Sequence, residues 1–227
     1  MEGRRQARRR RFRKNTFRTG TRRTGVSKYI AVAGNIGAGK TSLVDFLQRR
    51  YGVKAVFEPH RANPYLADFY KDMRRWAFHS QIYFLTHKFR LHRELEKYPG
   101  TVVQDRTIYE DAEIFARNLH RSRYMTKREF STYWELYQTI LQELKPPDVM
   151  IFLSCSVRTM RKRIAQRGRG IEKNIPASYL RNLQRLYAEW LENYTLSPVI
   201  TIDSDRLDYI TNLVDRIDLL AQIERYL

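Results

Sequence analysis

The stretch GNIGAGKT, residues 34–41, fits the pattern G-x-x-x-x-G-K-[ST] and decides how the rest of the chain is to be read. An apolar, β-prone run leads into it at residues 28–33 (KYIAVA), and a helical pattern leads out at 42–50 (SLVDFLQRR). Strand, glycine loop and helix in that order make the motif physically meaningful. The N–H groups of Gly34, Asn35, Ile36, Gly37, Ala38 and Gly39, continued by Ser42, are expected to wrap a polyphosphate. The helix N-terminus adds positive potential there. Glycine is needed where a Cβ would block close approach. Lys40 is expected to reach the β- and γ-phosphates, and the Thr41 hydroxyl to ligate Mg²⁺. A glycine-rich turn with an incidental lysine would show the same letters, but not the flanking strand and helix. The pattern points to a bound nucleoside triphosphate.

The 227 residues suit one domain with a substantial core, and 42% hydrophobic content is ordinary for such a domain. No apolar run approaches the length of a membrane span. The single cysteine, Cys155, excludes an intramolecular disulfide and a multi-cysteine zinc site. Its place in the apolar run MIFLSC reads as a buried structural thiol in a reducing, cytoplasmic setting. Net charge is +19, yet residues 1–28 hold twelve Lys/Arg against one Glu, so only 8 of the 19 belong to the remainder. The chain therefore divides into a basic arm, 1–27, and a folded domain, 28–227. The arm has no hydrophobic periodicity and is expected to be disordered when free. Three readings stay open for it. It docks on nucleic acid or another anionic surface by neutralising phosphates, it is a transit peptide directing the chain to mitochondria, or it is a solvated tail.

Beyond the arm, strand and helix patterns alternate. Short apolar runs fall at 29–33, 55–57, 101–104, 149–153 and 199–202. Segments of 3.6-residue periodicity fall at 42–51, 65–76, 80–98, 109–119, 127–144, 157–167, 177–194 and 207–226. The alternation predicts an α/β three-layer sandwich, with a parallel sheet of about five strands between helices. Ligands in such sheets collect beyond the carboxyl ends of the strands. The acidic residues at those ends are Glu58, Asp105 and Asp203, and the 149–153 run has none at its exit. Glu58, followed by Pro59, suits a base that takes the proton from an attacking hydroxyl. Asp105 sets a carboxylate near Mg²⁺, and Arg106 a guanidinium near that base or the phosphate. Farther on, RIAQRGRG carries Arg163, Arg167 and Arg169 between glycines, a composition suited to a helical lid that closes over a transferring phosphoryl group.

With these pieces the chain resembles the deoxynucleoside kinases of the deoxycytidine/deoxyguanosine kinase type, in particular the bacterial deoxyadenosine/deoxyguanosine kinase branch. The matching strings are GNIGAGKT, FEP, NPYLADFYKDMRRWAFHSQIYFL, QDRTIYEDAEIFARNLH and RIAQRGRGIEKNIPASYLRNLQRLYAEWL. The resemblance implies a P-loop kinase fold, ATP or another nucleoside triphosphate as donor, Mg²⁺, and a homodimer. Residue by residue, it implies that Glu58 deprotonates the 5′-hydroxyl and that Arg106 holds that carboxylate. Tyr70 and Glu172 would grip the 3′-hydroxyl, unless they are only a packed tyrosine and a surface glutamate. Gln81 would read the base edge, since an amide offers both donor and acceptor, and Phe115 would stack on the base. Arg163, Arg167 and Arg169 match the lid arginines. Asp111 and Lys88 fall where purine-accepting members carry an Asp and an Arg, so a deoxyadenosine or deoxyguanosine acceptor is favoured. Lys in place of Arg loses the planar bidentate contact, and Ser80 beside Gln81 suggests an open pocket.

Two other readings remain at this point. A nucleoside monophosphate kinase of the thymidylate type shares the loop, the DR pair and an arginine lid, but its anionic acceptor needs arginines more than a carboxylate base. A kinase fold recruited as a binding subunit of an RNA–protein or membrane assembly would use the arm as its anchor.

Overall fold

Apolar β-branched runs bounded by glycine, proline and charge form five strands in the computed structural model, which describes residues 28–58, 62–172, 175–205 and 212–226. The expectations for the arm 1–27 and for Pro59 concern residues outside that set. The strands are β1 (Lys28–Gly34), β2 (Lys54–Val56), β3 (Thr101–Asp105), β4 (Val149–Ser154) and β5 (Val199–Asp203). They lie in the order β2-β3-β1-β4-β5, and every pairing is parallel. The predicted three-layer α/β sandwich is therefore present. β1 is central and almost wholly buried, as its unbroken apolar run requires. Its register sets Val32 opposite Asp105 of β3 and Gly34 opposite Leu153 of β4.

The helices are α1 (Lys40–Tyr51), α2 (Leu66–Lys71), α3 (Met73–Leu95), α4 (Ile108–Glu110), α5 (Arg117–Arg121), α6 (Lys127–Leu141), α7 (Val157–Arg167), α8 (Ala177–Glu192) and α9 (Leu213–Ile223). A π-helical segment, Asp111–Ala116, joins α4 to α5, and a short 3₁₀ turn, Gly170–Glu172, follows α7. Leu43, Val44 and Leu47 of α1 pack against the sheet with Leu180, Leu183 and Tyr187 of α8 in one core cluster. A second cluster joins α3, the α4–α5 segment and α6 around Leu85, Ile114's neighbours Ala112 and Ala116, and Tyr133. Burying each such large side chain contributes about 1.5–3 kcal/mol before entropy is counted. Cys155 is buried at the end of β4, as its apolar context suggested, and burial pushes its thiol up to about 11. Among the described residues, no helix is long and apolar enough to cross a membrane.

One boundary differs from the sequence pattern. The periodic segments at 65–76 and 80–98 imply a break near residues 77–79, whereas the chain breaks at Asp72. That residue leaves helical geometry at φ −141° and caps α3 by accepting from the Arg75 N–H at 3.1 Å. A local cap outweighs a shift in the apolar stripe. The π-helical turn also had no counterpart in the pattern, because apolar spacing does not distinguish it from α.

β1 ends in a glycine for a steric reason. Gly34 sits at φ +146°, and a Cβ there would lie 2.8 Å from the Leu153 carbonyl oxygen. Gly34→Ala is expected to destabilise the fold by about 1–3 kcal/mol, read as a lower denaturant midpoint at unchanged m-value. An unshifted midpoint would contradict this account of the loop's entry.

Candidate active site

The loop from Gly34 to Thr41 crosses the carboxyl end of β1, and α1 begins at Lys40 with Gly39 as its left-handed N-cap at φ 105°. Lys40 is buried and folds back over the loop. Its Nζ donates to the carbonyls of Gly34 at 2.8 Å and Asn35 at 2.9 Å. Burial, with Arg106 nearby, lowers its titration from 10.5 to about 8, opposed by Asp105, Glu110 and Glu58. The loop is fixed from behind as well. Asn35 Nδ2 donates to the Leu180 carbonyl at 3.0 Å, and the Ser204 hydroxyl donates to the Ala38 carbonyl at 3.0 Å.

β3 exits beside this loop. Thr41 Oγ1 donates to Asp105 Oδ2 at 2.6 Å, and Asp105 Oδ1 is buried with no hydrogen-bond partner. A hydroxyl, a carboxylate and an unpaired carboxylate oxygen beside a phosphate loop form a hard oxygen donor set, which suits Mg²⁺ held jointly with a triphosphate. Arg106 adopts φ +60°, a conformation unusual for a side-chain-bearing residue, and its N–H extends the ladder to the Val32 carbonyl at 3.1 Å. From there its guanidinium reaches both oxygens of Glu58, at 2.9 and 3.0 Å, and lies 4.3 Å from the ring centre of Phe115. The Glu58 side chain is 13% exposed. Lys88 Nζ stands 3.8 Å from Glu58 Oε1 and donates to Asp111 at 2.9 Å. Burial pushes Asp111 up to about 6, against the pull of Lys88.

These groups line one cleft of about 750 Å³, open mouth included. Of the residues singled out in the sequence, Ile36, Gly37, Lys40, Thr41, Glu58, Tyr70, Gln81, Asp105, Arg106, Asp111, Phe115, Arg167, Arg169 and Glu172 line it. Gln81 is buried and its Oε1 has no partner, so one acceptor of the amide is uncommitted. Ser80, beside it, accepts from Asn63 Nδ2 at 3.0 Å. Lys88 stands behind Asp111 and does not line the cleft itself.

Two placements correct the sequence reading, and a third extends it. Arg163 separates from Arg167 and Arg169, because its guanidinium donates to the Ala38 carbonyl at 3.0 Å and the Ser204 carbonyl at 2.6 Å. It braces the back of the loop. Glu172 hydrogen-bonds Arg167, and Arg169 at 3.3 Å, and lines the cleft together with Tyr70. Those charge-assisted contacts are the stronger ones available to a carboxylate. Asp203, at the end of β5, accepts from the Asp205 N–H at 3.0 Å and lies outside the cleft.

Other groups escaped the sequence reading. Leu66, Phe69, Phe84 and Tyr179 supply much of the apolar wall. Glu110 and Tyr187, both buried, sit beneath the loop, with Glu110 Oε1 accepting from Gly34 N–H at 3.1 Å and from the Tyr187 hydroxyl at 2.8 Å. The spacing Thr107-x-x-Glu110 was the visible signal for the glutamate, since it matches a capping box. Nothing local marks Tyr187.

Known proteins resemble this arrangement. The family model described as deoxynucleoside kinase matches residues 30–227. A deoxyadenosine/deoxycytidine kinase of Bacillus subtilis (strain 168) is 36% identical over 196 residues, covering 83% of this chain and 90% of that protein. A deoxyguanosine kinase of Lactobacillus johnsonii is 38% identical over 203 residues, covering 86% and 90%. The solved structure of deoxyadenosine kinase from M. mycoides with bound dATP superposes with a TM-score of 0.76 at 28% identity, covering 87% of this chain and 99% of that one.

The buried lysine carries a pH signature. Between about 8 and its ordinary 10.5, the unfolded chain binds more protons at Lys40 than the folded chain, so stability rises with pH across that window. The unfolding free energy of the parent is expected to climb relative to Lys40→Met as pH increases from 8 toward 10.5. A difference that stays flat contradicts the placement of this charge.

Proposed function

The chain belongs to the deoxynucleoside kinase family, and from that premise we propose that it transfers the γ-phosphoryl group of ATP to the 5′-hydroxyl of a deoxyribonucleoside, with purine deoxynucleosides preferred. The observation that carries the proposal is the Arg106–Glu58 pair, one guanidinium nitrogen set against both carboxylate oxygens, facing the phosphate loop in the same cleft as Gln81. A carboxylate oriented by a fixed guanidinium is placed to accept the proton of an attacking alcohol. A phosphate acceptor would need no such base.

In this reading the loop amides and Lys40 bind the donor phosphates, and Lys40 leaves the carbonyls it now caps to do so. Thr41 and Asp105 would hold Mg²⁺, which would supply neutralisation of the charge on the donor phosphates. Arg167 and Arg169 serve the transferring group, and Arg163 keeps the loop in shape from behind. Gln81, with its unpaired carbonyl oxygen, reads the base edge, and Phe115 stacks on it. Tyr70 and Glu172 face the sugar. Asp111, held by Lys88, lies on the base side of the cleft, and a carboxyl pushed up to about 6 is suited to exchange a proton or hydrogen bond with a purine substituent.

The recruited-subunit reading gains nothing from the site, where the loop lysine, the base and the DR pair all stand within contact distance of their partners. Among the described residues, the monophosphate-kinase reading lacks an uncommitted cation on the acceptor wall. Arg106 is committed to Glu58, and Lys88 to Asp111.

Initial rates with the four deoxynucleosides at matched concentration are expected to be highest with deoxyadenosine or deoxyguanosine. A pyrimidine maximum would overturn the purine assignment. Glu58→Gln is expected to lower kcat by about 100- to 10,000-fold, the range for loss of a general base. Retained turnover on a deoxynucleoside monophosphate, with little on nucleosides, would instead support the rival kinase class.

A further inference from the structure

We propose that Glu110 is a positioning residue for phosphoryl transfer, locking the phosphate loop to the Asp105–Arg106 turn although it does not line the cleft. The inference deepens the proposed function and rests on the role given there to the Arg106–Glu58 pair.

Glu110 has no exposed surface. Its two oxygens divide between the two halves of the site. Oε1 accepts from the N–H of Gly34, the first residue of the loop, at 3.1 Å. Oε2 accepts from the N–H of Thr107, the residue after Arg106, at 2.9 Å. The Tyr187 hydroxyl stands 2.8 Å from Oε1 and 2.9 Å from the Gly34 carbonyl, the same carbonyl that Lys40 Nζ approaches. One side chain thus joins the exits of β1 and β3, the donor side and the side that aims Glu58.

A helix cap alone does not account for this arrangement. The Thr107 contact is the capping half, but Gly34 and Tyr187 lie 76 and 77 residues away in the chain. Among the described residues, no Lys or Arg makes an ion pair with Glu110; two backbone N–H groups and a hydroxyl bond its oxygens, and Lys40 and Arg106 act on it from beyond contact distance. A buried carboxylate is a costly way to gain stability, since a hydrophobic replacement is often as stable or more so. What a hydrophobic side chain cannot supply is two acceptors held at a fixed separation, one for each turn. Arg106 increases the need. Its φ of +60° persists only where neighbouring bonds over-determine it, and the bond to Thr107 fixes the residue that follows it.

The experiment measures kcat and the KM for ATP and for the preferred deoxynucleoside, using the full chain, Glu110→Gln, Tyr187→Phe and the double variant, with thermal melts alongside. A glutamine keeps the volume but turns an NH₂ toward one of the N–H donors, so one turn loses its anchor. For Glu110→Gln, kcat is expected to fall about 100-fold, the scale of a 1 Å misplacement, with both KM values within about threefold of the parent. Tyr187→Phe leaves the carboxylate in place and is expected to lose about tenfold in kcat, and the double variant to be no slower than Glu110→Gln, because the two act on one network. A lowered melting temperature with parental kcat overturns the proposal, as does a kcat loss accompanied by an equal rise in KM. If Glu110→Gln fails to fold, Tyr187→Phe decides alone. Lowered kcat at constant KM supports positioning, and unchanged kcat overturns it. Should Glu58→Gln remain active while Glu110→Gln does not, the base role of Glu58 fails and the positioning role stands.

Discussion

The pairing of β1 with β3 is the contact on which the cleft depends. Setting Val32 opposite Asp105 brings the start of the phosphate loop and the DR turn to the same end of the sheet, and the Arg106 N–H carries the ladder one residue further onto Val32. Six charged groups at this end of the sheet are then forced close together. Lys40, Glu58, Lys88, Asp105, Arg106 and Asp111 are buried or nearly so. Charges in a poorly solvated interior persist only when opposite signs alternate and hydrogen bonds satisfy the remaining atoms. The observed pairs, Lys88 with Asp111 and Arg106 with Glu58, supply the alternation of sign, while Asp105 Oδ1 and Arg106 Nε stay without a hydrogen-bond partner. Removing one partner from such a pair costs about 3–5 kcal/mol, because the other is left stranded. The groups placed for chemistry are therefore also groups the fold needs in pairs.

The parts of this cleft readable in the sequence share a property. The loop at Gly34–Thr41, Glu58 after β2 and Asp105–Arg106 after β3 all sit at strand exits, where local pattern and the geometry of parallel sheets suffice to locate them. Asp203 shows the limit of that rule. It also follows a strand, but β5 lies at the sheet edge beyond β4, and strand order is not written in local periodicity. Arg163 failed for a related reason. One turn of α7 separates it from Arg167, yet the Ala38 and Ser204 carbonyls lie within its reach and claim the guanidinium. Tyr187 carries no local signal at all, since its role is defined by Gly34, 153 residues earlier. Long-range contacts are set by packing, and packing is what a linear reading cannot see.

The segment from Thr107 to Ala116 shows how few residues can serve several neighbours. Glu110 and Asp111 are consecutive carboxylates, and about 100° of helical rotation sends them to different places. Glu110 goes beneath the loop to Gly34 and Tyr187, while Asp111 goes to the cleft wall and Lys88. The π-helical turn begins at Asp111, and Phe115 comes round to the cleft four residues later, under the Arg106 guanidinium. π-turns are rare and concentrate at functional sites, because the added residue shifts every later side chain around the axis. Here the turn begins where the helix leaves the frame and starts to line the cleft. Before it, Ile108–Glu110 are fully buried and hold the frame together. Within it, Asp111 and Phe115 face the cleft, while Ala112, Ile114 and Ala116 remain buried. The opposite wall is built differently. Tyr70 belongs to a six-residue helix, and Arg169 and Glu172 to a glycine-bearing turn in which charge pairs replace apolar packing. One wall of the cleft is thus braced by buried side chains, and the other is held by charge pairs.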